Sequence, residues 1–219
     1  MKGSYNVINL WDGHSINAAI QLIRDGKANG INFNFTRNFP SNIDEIKSAQ
    51  QIKYIQINDY SWDFDYSAID HLDKLEELSI YTTDKREINF DHFPNLKTAA
   101  IFWRPKANSL FNCVGLEHLF LGKYSDTDLS KLSGLTNLKY LRINTGSIRN
   151  LKGIENLEKL ETLMLMQATK LEDLSGIELL TNLTRLRIDN CRNIKNIELL
   201  KNLDNVKALE IMGTTPRLN

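Results

Sequence analysis

Residues 138–160 read LKYLRINTGSIRNLKGIENLEKL, and this stretch decides the fold. Leu138, Leu141 and Ile143 stand at offsets 0, +3 and +5. Offsets +3 and +5 fall on one face of a short strand, because strand side chains alternate with period two. Ile148, Leu151, Ile154 and Leu157 follow at every third position. That spacing suits a tight 3₁₀-like return better than an α-helix, whose period is about 3.6. Leu160 begins the pattern again. One such unit cannot bury its own apolar face and needs copies stacked on both sides.

The copies lie in both directions. Leu160, Leu163 and Leu165 repeat the offsets, as do Leu183, Leu186 and Ile188, then Val206, Leu209 and Ile211. Towards the N-terminus come Leu116, Leu119 and Leu121, then Leu96, Ala99 and Ile101, then Leu75, Leu78 and Ile80, then Ile52, Ile55 and Ile57. First positions from 52 to 206 are separated by 23, 21, 20, 22, 22, 23 and 23 residues. Two weaker copies precede them, Ala28 with Ile31 and Phe33, and Tyr5 with Ile8 and Leu10. Between those two, Ile16, Ala19, Ile20 and Ile23 recur at helical spacing before Gly26, which predicts an amphipathic helix over 14–25. Ser41 or Asn42 is placed to cap a short helix carrying Ile43 and Ile46. In the acidic, aromatic connection at 59–74, Trp62, Phe64 and Tyr66 are expected to pack on the side away from the strands. Asp63 and Asp65 read there as a solvated loop rather than a catalytic carboxylate pair.

No linker or composition break appears, so one domain is expected over 1–219. Residues 1–27 form a strand–helix cap, 28–211 about nine repeats, and 212–219 a tail. The last strand, 206–211, predicts an open edge unless a partner or a second subunit covers it. The chain carries 27 basic and 27 acidic residues and is 42% hydrophobic. A balanced charge gives no pull towards nucleic acid or an anionic membrane. The N-terminal residues lack a signal-peptide pattern, no run approaches a membrane span, and Cys113 and Cys191 lack metal-type spacing. A cytoplasmic protein with reduced thiols is the expectation.

The segments LEHLFL, LKYLRI, LETLML and LTRLRI resemble the strand part of leucine-rich repeat proteins. The shorter units containing GIENLEKL and GIELLTNL resemble bacterial internalin-like repeats. The resemblance implies an α/β architecture: a curved leucine-rich repeat solenoid with a parallel sheet on the concave face. Turns, 3₁₀ segments and short helices would form the convex face. The family usually places Asn at offset +8, where its amide bonds neighbouring turns. Here that offset holds Tyr60, Thr83, Arg104, Tyr124, Gly146, Ala168, Cys191 and Thr214, and only Cys191 belongs to the usual set. The turns must therefore find other hydrogen-bond partners.

Chemistry is sparse. His14, His71, His92 and His118 form no metal-ligand spacing, and no nucleophile or phosphate-binding motif occurs. No cofactor, no metal and no catalytic residue is expected, and the protein reads as a non-enzyme. With +3 and +5 inward, offsets +2, +4 and +6 point outward. There stand Tyr54, Tyr81, Phe102, His118, Phe120 and Tyr140. Met164, Met166, Arg142, Arg185 and Arg187 share the same face, with Trp103 at +7 on its rim. Sheets favour aromatic residues in any case. A contiguous exposed apolar patch with Arg beside it nevertheless has the composition of a protein interface. These twelve residues are the expected partner-binding set. The expected function is non-catalytic protein–protein interaction, with no nucleic-acid or membrane partner. An immunity or inhibitor protein that occludes a toxin or enzyme, and an adaptor or regulatory subunit, are the more specific alternatives. Homodimerisation through the open edge or the concave patch is a further expectation.

Overall fold

The computed structural model describes residues 5–11, 13–34, 40–58, 65–82 and 86–214, within two compact units, Met1–Cys113 and Val114–Asn219. In the first unit β1 (Val7–Leu10), β2 (Gly30–Phe33), β3 (Tyr54–Ile57), β4 (Glu77–Ile80) and β5 (Thr98–Phe102) pair in parallel, each with the next. In the second, β6 (His118–Gly122), β7 (Tyr140–Asn144), β8 (Thr162–Met166), β9 (Arg185–Asp189) and β10 (Ala208–Met212) do the same. Every pair joins equal offsets, as Leu141 with Leu163 and Ile31 with Ile55. The two weaker N-terminal copies obey the same frame. A one-residue slip would send Leu141 and Ile143 into solvent, so burial fixes the register.

The inward offsets form the core. Ile55, Leu78, Leu119, Leu141, Leu163 and Leu186 are completely buried. The every-third apolar positions return as 3₁₀ turns such as Ser67–His71, Ile154–Asn156 and Ile177–Leu179. Leu151, Ile154 and Leu157 are fully buried within or beside one of them. The predicted helix is α1 (Ile16–Arg24), capped by Ser15, whose hydroxyl accepts from the Ala18 N–H at 3.3 Å. Its Ile16, Ala19, Ile20 and Ile23 are buried, and Gly26 follows at φ +71°. The segment expected after Asn42 is a 3₁₀ turn, Asp44–Ser48, and the Asn42 side chain accepts from the Asp44 N–H at 3.1 Å. Tyr66 packs inward as expected, at 2% exposure. Trp62, Phe64 and Asp63 lie outside the described residues.

The missing asparagine ladder has substitutes. One lies at offset −1, just before each repeat's first apolar residue. Asn95, Asn137, Asn182 and Asn205 each donate from Nδ2 to a main-chain carbonyl 22–24 residues earlier, on Asp73, Val114, Glu158 and Thr181. Gln51 does the same to Ile23. A second set sits at +8 itself. The Cys191 thiol reaches the Leu165 carbonyl at 3.5 Å, and the Thr214 hydroxyl reaches that of Ile188 at 3.5 Å. In the first unit Arg104 takes the place, at 5% exposure, donating to the Thr82 carbonyl and hydroxyl and to the Tyr66 hydroxyl. Apolar packing is therefore joined, in several repeats of each unit, by side-chain bonds to the neighbouring backbone.

The second unit adds a repeated turn. Lys123, Thr145, Gln167 and Asn190, all at +7, have φ of 58°, 54°, 53° and 54°, and Gly213 completes the column at 57°. The N–H groups of the first four donate to the carbonyl of the next repeat's +6 residue at 2.7–2.9 Å. In β10, Leu209 and Ile211 occupy core offsets yet are 46% and 43% exposed, because among the described residues no strand lies on that edge.

Candidate protein-binding face

Offsets +2, +4 and +6 do face outward, and most of their side chains are half-buried against one another. In the second unit the register sets His118 beside Tyr140, Phe120 beside Arg142, and Arg142 beside Met164. The Phe120 and Tyr140 rings lie 4.7 Å apart, and the His118 and Tyr140 rings 6.2 Å apart. The Tyr140 hydroxyl donates to Met164 Sδ at 3.0 Å. His118, Phe120, Tyr140 and Met164 thus form one aromatic and thioether cluster. Partial burial raises the Tyr140 phenol pKa, while the positive charges of Arg142, Arg185 and Arg187 act the other way. Burial lowers the His118 imidazole pKa, so this ring is neutral at pH 7 and contributes apolar surface.

The three arginines are not equivalent. Arg187 is already engaged, with Asp189 at 3.2 Å and Glu210 at 3.4 Å. Arg142 and Arg185 pair with no carboxylate among the described residues, and Arg185 is exposed. Met166 lies between Asn144 and Asp189, at the strand ends away from the main cluster. The sequence pattern groups the three cations correctly but does not reveal that one is satisfied within the sheet.

In the first unit Tyr81 and Phe102 meet edge to face with ring centroids 5.8 Å apart. Tyr54 stacks at 5.4 Å on Tyr5, and its hydroxyl donates to Gln56 at 2.6 Å. Burial raises the Tyr54 phenol to a pKa of about 12. Trp103 is a correction. It is not on a rim but 7% exposed, its ring 5.0 Å from that of Phe111, so it belongs to the packed side of the turn. After β5 the chain enters the 3₁₀ segment Pro105–Asn112, whose Phe111 offers the indole an apolar contact that solvent does not.

The sequence reading missed an amide network on the outward face of the first unit. Asn32 donates to Asn9, Gln56 to Asn58, and Asn58 to both Asn32 and Asn34, at 2.6–3.3 Å. Its signal was present: Asn9, Asn32 and Gln56 share offset +4, and Asn34 and Asn58 share +6. Along the +1 column, Lys53 pairs with Glu76 and Lys139 with Glu117, both at 2.8 Å. These pairs are exposed and screened by solvent, so they add little to stability.

Among the described residues no group of three or more His, Cys, Asp or Glu is placed to hold a metal ion. No helix of the described residues is long and apolar enough to cross a membrane. The repeat frame, the parallel register and the 3₁₀ returns define a leucine-rich repeat solenoid. Solved structures agree on this fold, whereas no family model and no curated protein matches the sequence. An internalin from Listeria monocytogenes superposes with TM-score 0.59 at 18% identity, covering 87% of this chain and 63% of that one. A leucine-rich repeat protein of Leptospira interrogans gives 0.56 at 19% identity, covering 90% and 57%. The Arabidopsis receptor kinase HAESA, solved with the peptide hormone IDA and the co-receptor SERK1, gives 0.61 at 16% identity, covering 94% and 38%. The chain therefore spans less than two thirds of these neighbours' lengths.

Proposed function

We propose that this protein is a non-catalytic recognition module that binds a partner protein on the outward face of its sheet. The observation that carries this reading is the cluster of Phe120, Tyr140 and Met164, half-exposed, beside Arg142 and Arg185, which have no carboxylate partner among the described residues. Aromatic, Met and Arg side chains are enriched at protein interfaces, Tyr and Arg among the residues that dominate their binding energy, and a preformed strand array loses little entropy on binding. Phe120 and Tyr140 act as anchors. Arg142 and Arg185 receive acidic groups of the partner in bidentate geometry. Tyr81 and Phe102 form a second anchor pair in the first unit, with Tyr54 and His118 as flanking contacts. Peptide-hormone and co-receptor binding by the HAESA structure is a precedent for recognition by such a solenoid.

The test is capture of a binding protein from the source organism by the tagged chain, identification of that protein, and a binding measurement with both partners purified. Phe120→Asp is expected to weaken the purified interaction by more than about tenfold. Equal affinity with an unchanged circular dichroism spectrum would remove the outward face as the binding site. A captured toxin or enzyme that loses activity on binding would make the protein an inhibitor. One that keeps its activity would make it an adaptor.

A further inference from the structure

The +7 column of the second unit lies outside the binding face just described. Thr145, Gln167 and Asn190 hold a left-handed conformation that L side chains rarely adopt, and Thr145 is β-branched, the least suited type. Each turn aligns its N–H with the next repeat's +6 carbonyl, but not every repeat of the chain uses it. At the same offset in the first unit, Thr82 and Trp103 have no positive φ. Strain maintained in successive turns is a feature that binding sites share.

Along these turns runs an open depression of about 510 Å³, lined by Thr145, Ser147, Gln167, Lys170, Asn190 and Arg192 among others. No carboxylate is among its lining residues, and two cations are. Arg192 is held in place, with Nε donating to the Gly213 carbonyl at 3.3 Å and Nη2 to Asn190 Oδ1 at 3.4 Å. A Cβ at Gly213 would strike Asn190 Oδ1, so glycine there keeps the amide in position for the guanidinium. Neither hydrogen bond uses Nη1. Lys170 is exposed and, among the described residues, has no acidic partner.

The geometry points to an oxyanion-binding site: the groove takes a small ligand carrying a carboxylate or phosphate group. Arg192 and Lys170 supply the charge, and the Ser147 hydroxyl, the Gln167 amide and the second N–H of Asn190, whose first goes to Asp189 Oδ1, supply further hydrogen bonds, the Thr145 hydroxyl being already donated to the Asn144 carbonyl. Fixing the guanidinium beforehand removes part of the ordering cost of binding.

Titration of the full chain with inorganic phosphate and, separately, with citrate at matched ionic strength, followed by backbone amide chemical shifts, tests this. Saturable shifts confined to residues 145–147, 167–170 and 190–192 are expected. In the double variant Lys170→Met with Arg192→Met the affinity should fall by about tenfold or more. Lys170→Met alone, which touches no internal hydrogen bond of the groove, should weaken it about threefold. Saturation by phosphate alone, or by citrate alone, assigns the ligand group. Linear, non-saturating shifts with both anions, or equal affinity in both variants, would overturn the proposal.

Discussion

The two units carry the same repeat and use it differently. On the outward face of the first unit, Asn9, Asn32, Asn34, Gln56 and Asn58 bond mainly to one another. On that of the second, Phe120, Tyr140 and Met164 stand beside two arginines with no internal acid. Amides that already bond one another gain little net free energy from a partner, because a new hydrogen bond to them exchanges for one to water or to a neighbouring amide. A half-exposed aromatic cluster gains by losing water. The turns differ in parallel. The second unit repeats one left-handed turn at spacings of 22–23 residues, whereas the first has irregular spacings and a buried Arg104 where the family places Asn. One repeat thus carries an interbonded amide stretch in the first unit and an aromatic and thioether cluster beside two arginines in the second.

Core truncation should separate the units most strongly. Leu141→Ala in the second unit is expected to lower stability by about 2–5 kcal/mol in chemical denaturation, since the side chain is fully buried in a packed stack. The corresponding position in the irregular repeat of the first unit is already Ala99, so that repeat has no such side chain to lose. A cost below about 1 kcal/mol at Leu141 would mean that the second unit repacks freely. Arg104→Met tests the polar substitute of the first unit. Losing its bonds to Thr82 and Tyr66 should cost about 1–3 kcal/mol, read from the same denaturation curves. Asn137→Ala removes a single rung of the −1 ladder and should cost about 0.5–1.5 kcal/mol.

The smallest effect is electrostatic. Hydrogen bonds from Ser130 and Ser175 hold the Asp128 and Asp173 carboxyls below the usual carboxylate range. A depressed native pKa adds stability above the unfolded pKa, and this is lost as pH falls through the native one. Asp128→Asn with Asp173→Asn should therefore flatten the loss of melting temperature below about pH 4. In the first unit Asp70 has the opposite sign. Its carboxyl is raised chiefly by burial, so its contribution is greatest at low pH and is lost as pH rises through the native value.

Most of the fold was legible because burial on one strand face imposes a period that survives substitution. Extended along the chain, the frame of Leu138, Leu141 and Ile143 predicted the register of the strand pairs within each unit. The helix expected over 14–25 is present as Ile16–Arg24, with Gly26 just beyond its end. The site was legible only as a direction. Outward offsets place Phe120 and Tyr140 on one face, but offsets do not say that Arg187 is taken up by Asp189 and Glu210. Nor do they say that Trp103 turns inward onto Phe111. Those outcomes depend on neighbours about a repeat away or on the path of a connection. The −1 asparagines carry no signal in the family pattern, which places its amide ladder at +8, although each one directly precedes a repeat's first apolar residue.

The most direct measurement compares two single variants against the purified partner protein. Phe120→Asp in the second unit is predicted to weaken binding by more than about tenfold, while Gln56→Ala in the amide network of the first leaves it within about twofold. Retained affinity in Phe120→Asp, with both variants folded as the wild type, would contradict the account.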